Sequence, residues 1–211
     1  MKKFKIVLAA IVSLLPLNGL RVLGYRLLGY QIQRARIGFG TIIAVDEVQI
    51  DSAKIGPFNV FAGPMKIHIH RGASIGNRNE FIGGYWILRD EYKDYHYSHS
   101  LEICDDALIT SRHYFDLSGS LLLGERSWIA GIDSQFWTHG AGVKERDIMI
   151  GADCYIGSAV RFSPGSSIGD HVIVAMGSVV SGPMPESNAL IGGVPAKVLK
   201  SNYNWKEKDA R

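Results

Sequence analysis

Residues 150–180 read IGADCYIGSAVRFSPGSSIGDHVIVAMGSVV. An aliphatic or aromatic residue recurs at every sixth place, at Ile150, Ile156, Phe162, Ile168, Val174 and Val180. Gly151, Gly157 and Gly169 stand behind three of these and Ala175 behind a fourth. Helices repeat near 3.6 residues and strands every two, so a strict six fits a short strand plus a tight turn. Three such units wrap one triangular coil, whose strands pair with the coils above and below about 4.8 Å away. The expected fold is an all-β solenoid, a parallel β-helix with one leading side chain per side filling its centre.

Counting outward from Ile150 places earlier coils at Ile37, Ile55, Ile75, Ile103 and Leu123, about seven coils in all. The second leading positions fall at Ile43, Phe61, Phe81, Ile109 and Ile129, and the third at Gln49 or Ile50, Ile67, Ile87, Phe115 and Gln135. The excess length falls on the third side, with large loops near 88–100 and 138–147. The organisation is a helical segment over 1–36, the β-helix over 37–187 and a closing segment over 188–211.

The chain has 211 residues, 46% hydrophobic and 20% charged with 24 glycines, enough for one packed domain. Residues 1–45 carry seven Lys or Arg and no Asp or Glu, leaving 16 basic against 20 acidic residues in the rest. That balance gives no footprint for nucleic acid. Cys104 and Cys154 have neither metal nor redox spacing, which suggests a reducing, cytoplasmic setting. The apolar run IVLAAIVSLLPL at 6–17 is shorter than the roughly 20 residues a bilayer span needs. Three readings stay open for it: a helix packed on the domain or an oligomer partner, an interfacial anchor, or a cleaved signal. Leu20, Leu23, Leu27 and Leu28 follow at helical spacing beside Arg21 and Arg26, which suits peripheral contact of residues 1–30 with acidic lipid at the inner face of a plasma membrane.

A solenoid side that opens into loops is where a site is built without disturbing the stack. The first loop, LRDEYKDYHYSHS, offers flat faces for a ring-shaped acceptor, with Tyr85 and Trp86 before it and Tyr92, Tyr95 and Tyr97 within it; a plain solvated excursion is the alternative. The second follows Gln135 and Trp137 and carries His139 between Thr138 and Gly140. Histidine titrates near neutrality, so His139 is the candidate base. His68 and His70 alternate with Ile67 and Ile69 and face outward, His96 and His99 lie in the first loop, and His171 sits on a turn. The repeat register also stacks His113 on Asp133, close enough to share a proton, either as a structural pair or beside the acceptor.

The closing segment ALIGGVPAKVLK, Ala189–Lys200, resembles the end of bacterial hexapeptide-repeat acetyltransferases, and the resemblance extends back to Ile103. The galactoside and maltose O-acetyltransferases and the enzymes of polysaccharide biosynthesis are the similar groups. The resemblance implies a left-handed coil, a homotrimer, acetyl-coenzyme A lying between subunits, and His139 as general base toward a carbohydrate or nucleotide-sugar hydroxyl. It implies pantetheine contacts at Ser158, Ala175 and Met176, and phosphate contacts at Lys197 and Lys200. Two departures stand out: Ser181-Gly182 replaces a Thr-Lys pair, and Thr110 occupies the slot of an acceptor-placing asparagine. Neither cysteine matches a nucleophile, and the resemblance implies no metal. The rivals are N-acetylation of an amino sugar, a zinc hydratase recruiting His68, His70 and His139, and a non-catalytic scaffold.

Overall fold

The computed structural model describes residues 2–95, 97–144 and 146–207, so His96 and the last four residues of the closing segment lie outside the described residues. Three sheets of eight, nine and seven strands form the walls of a triangular prism, and every strand pairing is parallel except the terminal hairpin. The first sheet runs from Gln31–Gln33 to Pro183–Met184, the second from Arg36–Ile37 to Leu190–Gly193 with Ala196–Lys200 folded back on it, and the third from Ile42–Ala44 to Val179–Val180. Coil strands therefore begin ahead of the expected start at Ile37 and continue past 187, because the first sheet opens and the second closes inside the flanking segments.

The leading residues of the regular run are all buried. In the third sheet the stack is aromatic: Phe61, Phe81, Phe115, Phe136 and Phe162 lie ring on ring, with successive centroids 4.3, 4.5, 4.7 and 5.1 Å apart. Rings offset along the axis pack at this spacing because the coils set it.

Upstream of Ile103 the register differs from the count by sixes. Ile75 pairs with Ile109 and not with Ile103, whose partner is Ile69. The first-sheet leaders are thus Ile50 and Ile69, displacing Gln49 and Ile67; Ile67 is a second buried position on the four-residue strand Lys66–Ile69. Ile87 belongs to no strand but to a 3-10 turn, Tyr85–Leu88. The phase is lost there because the insertion begins directly after the third-sheet strand Glu80–Ile82. Gln135 gives way to Phe136 because the side that starts at Ile129 holds seven residues where the one below it, from Ile109 to Phe115, holds six. Once re-registered, both large insertions leave the prism at one corner, between the third sheet and the first.

Two helices, α1 (Lys2–Ser13) and α2 (Asn18–Leu27), cover the N-terminal end of the prism. An unpaired strand edge needs partners for its backbone, and side chains of α2 and its exit supply them on all three sheets. Asn18 accepts from Ile37 N–H at 2.8 Å and Arg21 Nε donates to Ile37 C=O at 2.8 Å, both on the second sheet. Arg26 Nε donates to Ile32 C=O on the first at 2.8 Å. On the third, the Tyr25 hydroxyl takes Ile43 N–H and gives to Thr41 C=O, and that of Tyr30 takes Val45 N–H. Burial raises the pKa of both phenols, Tyr30 to about 12, so they remain donors.

Candidate active site

The strand Tyr114–Asp116 turns Phe115 inward and its two neighbours outward. One coil on, Phe136 pairs with Phe115, and the chain runs through Trp137 and Thr138 to His139 as it leaves the prism. Thr138 is fully buried and fastens this exit: its N–H reaches Asp116 Oδ2 at 3.2 Å, its hydroxyl donates to Asp116 C=O at 2.7 Å, and Gly119 N–H donates to it at 2.8 Å. The Ser118 hydroxyl gives to Asp116 Oδ1 at 3.0 Å. His139 Nδ1 completes the set by bonding to Asp116 Oδ2.

A buried carboxylate is tolerable only when donors surround it, and Asp116 has three: the Ser118 hydroxyl, the Thr138 backbone N–H and the His139 ring N–H. Its side chain is 5% exposed while that of His139 is 42% exposed. A carboxylate only accepts, so Nδ1 carries the hydrogen, and in the neutral ring Nε2 carries the lone pair. Among the described residues Nε2 has no hydrogen-bond partner. A ring locked in one tautomer by a buried acid, with its basic nitrogen open to solvent, is arranged to take a proton from a bound hydroxyl.

The first insertion folds back over this corner. Trp86 stands edge to face with His139 at 5.4 Å and is itself flanked by Tyr92 at 5.1 Å and Tyr97 at 5.3 Å. Arg146, from the second insertion, lies over the Tyr97 ring at 4.1 Å. Trp137 approaches His139 at 6.5 Å and Tyr114 at 5.0 Å, with Gln135 accepting from its indole N–H at 3.4 Å. Trp86, Trp137 and Gln135 are therefore brought to His139. Tyr85 is not: it lies toward Asp46, and burial with that charge raises its pKa.

His113 and Asp133 are paired differently from the expectation. Asp133 bonds to Arg112 at 3.2 Å. His113 is a rung in a polar ladder climbing the corner between the second and third sheets. Asn59 Oδ1 accepts from Asn79 N–H, Asn79 Oδ1 from His113 N–H, His113 Nδ1 from Ser134 N–H and Ser134 Oγ from Val160 N–H, each within 2.9 to 3.2 Å. Its Nε2 meets the Thr110 hydroxyl at 2.9 Å, so both ring nitrogens are occupied.

Ser158, Ala175 and Met176 lie on turns of that same second-to-third corner; Ser158 Oγ accepts from Ile132 N–H at 3.4 Å, and Met176 is exposed. Lys197 and Lys200 lie on the terminal hairpin of the second sheet, with Lys200 over Tyr203 at 4.1 Å. One wall of the prism, up to roughly 20 Å for six extended residues, separates these turns from the corner of His139. Cys154 is buried in the core and Cys104 is half-buried, and burial raises both thiols to about 11. His68 and His70 stack at 3.7 Å on the first sheet; their ligating atoms and those of Glu102 lie within 4.8 Å of one another, and His139 is not among them.

Asp116, Ser118, Thr138 and Arg146 were not singled out by sequence. The available signal for Asp116 was its place directly behind a leading Phe, one coil below the residue that precedes Thr138.

Three parallel sheets joined by six-residue sides define a hexapeptide-repeat parallel β-helix, the left-handed fold of its solved structural neighbours. Residues 147–182 match the family described as bacterial transferase hexapeptide (six repeats). The chain is 44% identical over 61 residues to WbbJ of Escherichia coli (strain K12), a candidate lipopolysaccharide biosynthesis O-acetyl transferase, and 40% identical over 53 residues to the galactoside O-acetyltransferase of the same organism. These stretches cover 29% and 25% of this chain, and only 30% and 26% of the relatives' own lengths. Among solved structures, the polySia-specific acetyltransferase NeuO matches with a TM-score of 0.57 over 86% of each chain at 18% identity, a likeness of fold.

Proposed function

We propose that this protein transfers the acetyl group of acetyl-coenzyme A to a hydroxyl of a sugar in glycan or polysaccharide biosynthesis, with His139 as general base. The observation that carries this reading is the bond from His139 Nδ1 to buried Asp116, which leaves Nε2 open beside the indole of Trp86. Nε2 takes the hydroxyl proton as the acceptor oxygen bonds to the thioester carbonyl carbon. The C–S bond then breaks, and the imidazolium returns its proton to the departing thiolate, so no acyl-enzyme forms. Trp86, Trp137 and Gln135 supply the flat and polar surface for the acceptor ring.

The donor would lie on Ser158, Ala175 and Met176, with Lys197 and Lys200 near its phosphates. Since one chain holds these a wall away from His139, the reading includes a homotrimer in which the donor corner of one copy meets the histidine corner of the next. It also places the protein on the cytoplasmic side, where acetyl-coenzyme A is made. The names of the two curated relatives, both O-acetyl transferases, support it.

The test is calorimetric titration with acetyl-coenzyme A, followed by a free-thiol assay over a panel of oligosaccharide and amino-sugar acceptors. Saturable binding, with thiol release that needs an acceptor hydroxyl and His139, is expected. Absence of donor binding, or release undiminished in His139→Ala, overturns the reading.

A further inference from the structure

The two N-terminal helices are amphipathic in an unusual sense: they turn their polar groups toward the protein. Asn18, Arg21, Tyr25 and Arg26 are spent on the open strand edges of the three sheets, as described above. What faces away is apolar. On α1 and the turn that follows it, Phe4, Val7, Ile11 and Leu14 recur at three- and four-residue steps and form one stripe. On α2, Leu20, Leu23 and Leu27 repeat the spacing. All seven are between 43% and 79% exposed. The helices pack on each other where a side chain on Gly24 would meet Val12 at 2.8 Å, so the two stripes belong to one end of the prism. Apolar patches of this kind on soluble chains mark interaction surfaces.

The charge around the stripes selects the partner. Arg34 and Arg36 are exposed on the coil next to the helices, and no Asp or Glu occurs before Asp46. The remainder of the chain carries an acidic excess, so the cations are concentrated where the leucines are. No helix among the described residues is long and apolar enough to cross a membrane; α1, with 12 residues, is roughly 18 Å long against the ~30 Å of a bilayer core. An apolar stripe rimmed by cations on a short helix lies in the plane of an interface. We infer that the helical cap of this protein docks on the surface of an anionic lipid bilayer, with the stripes among the upper acyl chains and the cations at the headgroups.

The inference is independent of acyl transfer, since it is read without donor or acceptor. Full-length protein is sedimented with vesicles of phosphatidylcholine containing phosphatidylglycerol, and with phosphatidylcholine alone. Binding to the anionic vesicles is expected, falling with added salt and at least tenfold weaker to the neutral ones. The variants Val7→Glu/Ile11→Glu and Leu23→Ser/Leu27→Ser alter only outward residues and are expected to lose binding at least tenfold while keeping the wild-type Tm. Failure of the wild type to bind anionic vesicles, or equal binding by a variant with unchanged Tm, overturns the inference. So does a variant that lowers the oligomeric mass while vesicle binding persists, which would assign the stripes to a second copy of the chain.

Discussion

Two corners of the prism each hold a histidine, and the same side chain comes to opposite ends. At the second-to-third corner the turns stay short and every rung is consumed by its neighbour. His113 is buried, with Nδ1 accepting and Nε2 on a hydroxyl, and burial lowers its pKa to about 4. At the third-to-first corner two insertions open the turn. There the tautomer is reversed: Nδ1 of His139 gives its hydrogen to Asp116 and Nε2 is open. Structural histidine and candidate base differ in which nitrogen the fold occupies, and that follows from whether the corner is closed or opened.

The largest break in this comparison is His139→Ala, expected to lower kcat for acetyl transfer by about 10²–10⁴-fold with donor binding retained. Asp116→Asn keeps a carbonyl oxygen toward Nδ1, because the Thr138 N–H needs an acceptor there while the Ser118 hydroxyl can turn to accept from the amide, but it removes the negative charge that stabilises the imidazolium; a loss on the order of 10²-fold in kcat is expected, and unchanged kcat would mean that this charge is irrelevant. His113→Ala is the reciprocal control. It should leave kcat unaltered but cost about 2–4 kcal/mol of stability, from the unfilled volume and the stranded Ser134 N–H, as read by denaturant unfolding.

The pH profile of that stability sharpens the contrast. Between its ordinary 6.5 and about 4, the unfolded chain binds a proton at His113 that the folded chain refuses. The neutral ring's contribution is therefore complete above 6.5 and declines as pH falls through that window, a slope that His113→Ala should flatten. Trp86→Ala is expected to raise the acceptor KM several-fold, on the order of 1 kcal/mol, with kcat little changed. The smallest effect is assigned to Arg112→Gln: its pair with Asp133 is exposed, and loss of at most about 1 kcal/mol is expected by thermal unfolding.

The coil architecture was legible because a triangular solenoid repeats its demand for a buried side chain every sixth residue, and Ile150–Val180 meets that demand without interruption. The same arithmetic failed across residues 83–99, where an insertion of arbitrary length erases phase; Ile87 kept the count and lost the strand. His139 was legible as a histidine at the point where the chain leaves the stack. Its partner was not, because Asp116 is 23 residues away and becomes a neighbour only when successive coils are laid in register. The pairing of His113 with Asp133 was read from a register correct to one residue, and in a strand one residue reverses the face.

By itself the sequence determined the period, the apolar centre, the inserted corner and the basic, leucine-rich front end, since each is a local pattern that one pass along the chain exposes. Only the tertiary structure decided which acid meets which imidazole, that the arm of Trp86 folds back on His139, and that the N-terminal helices spend their polar residues inward and leave their leucines outside. Those outcomes depend on contacts between coils far apart in sequence, where the length of each insertion, and not its composition, sets what faces what.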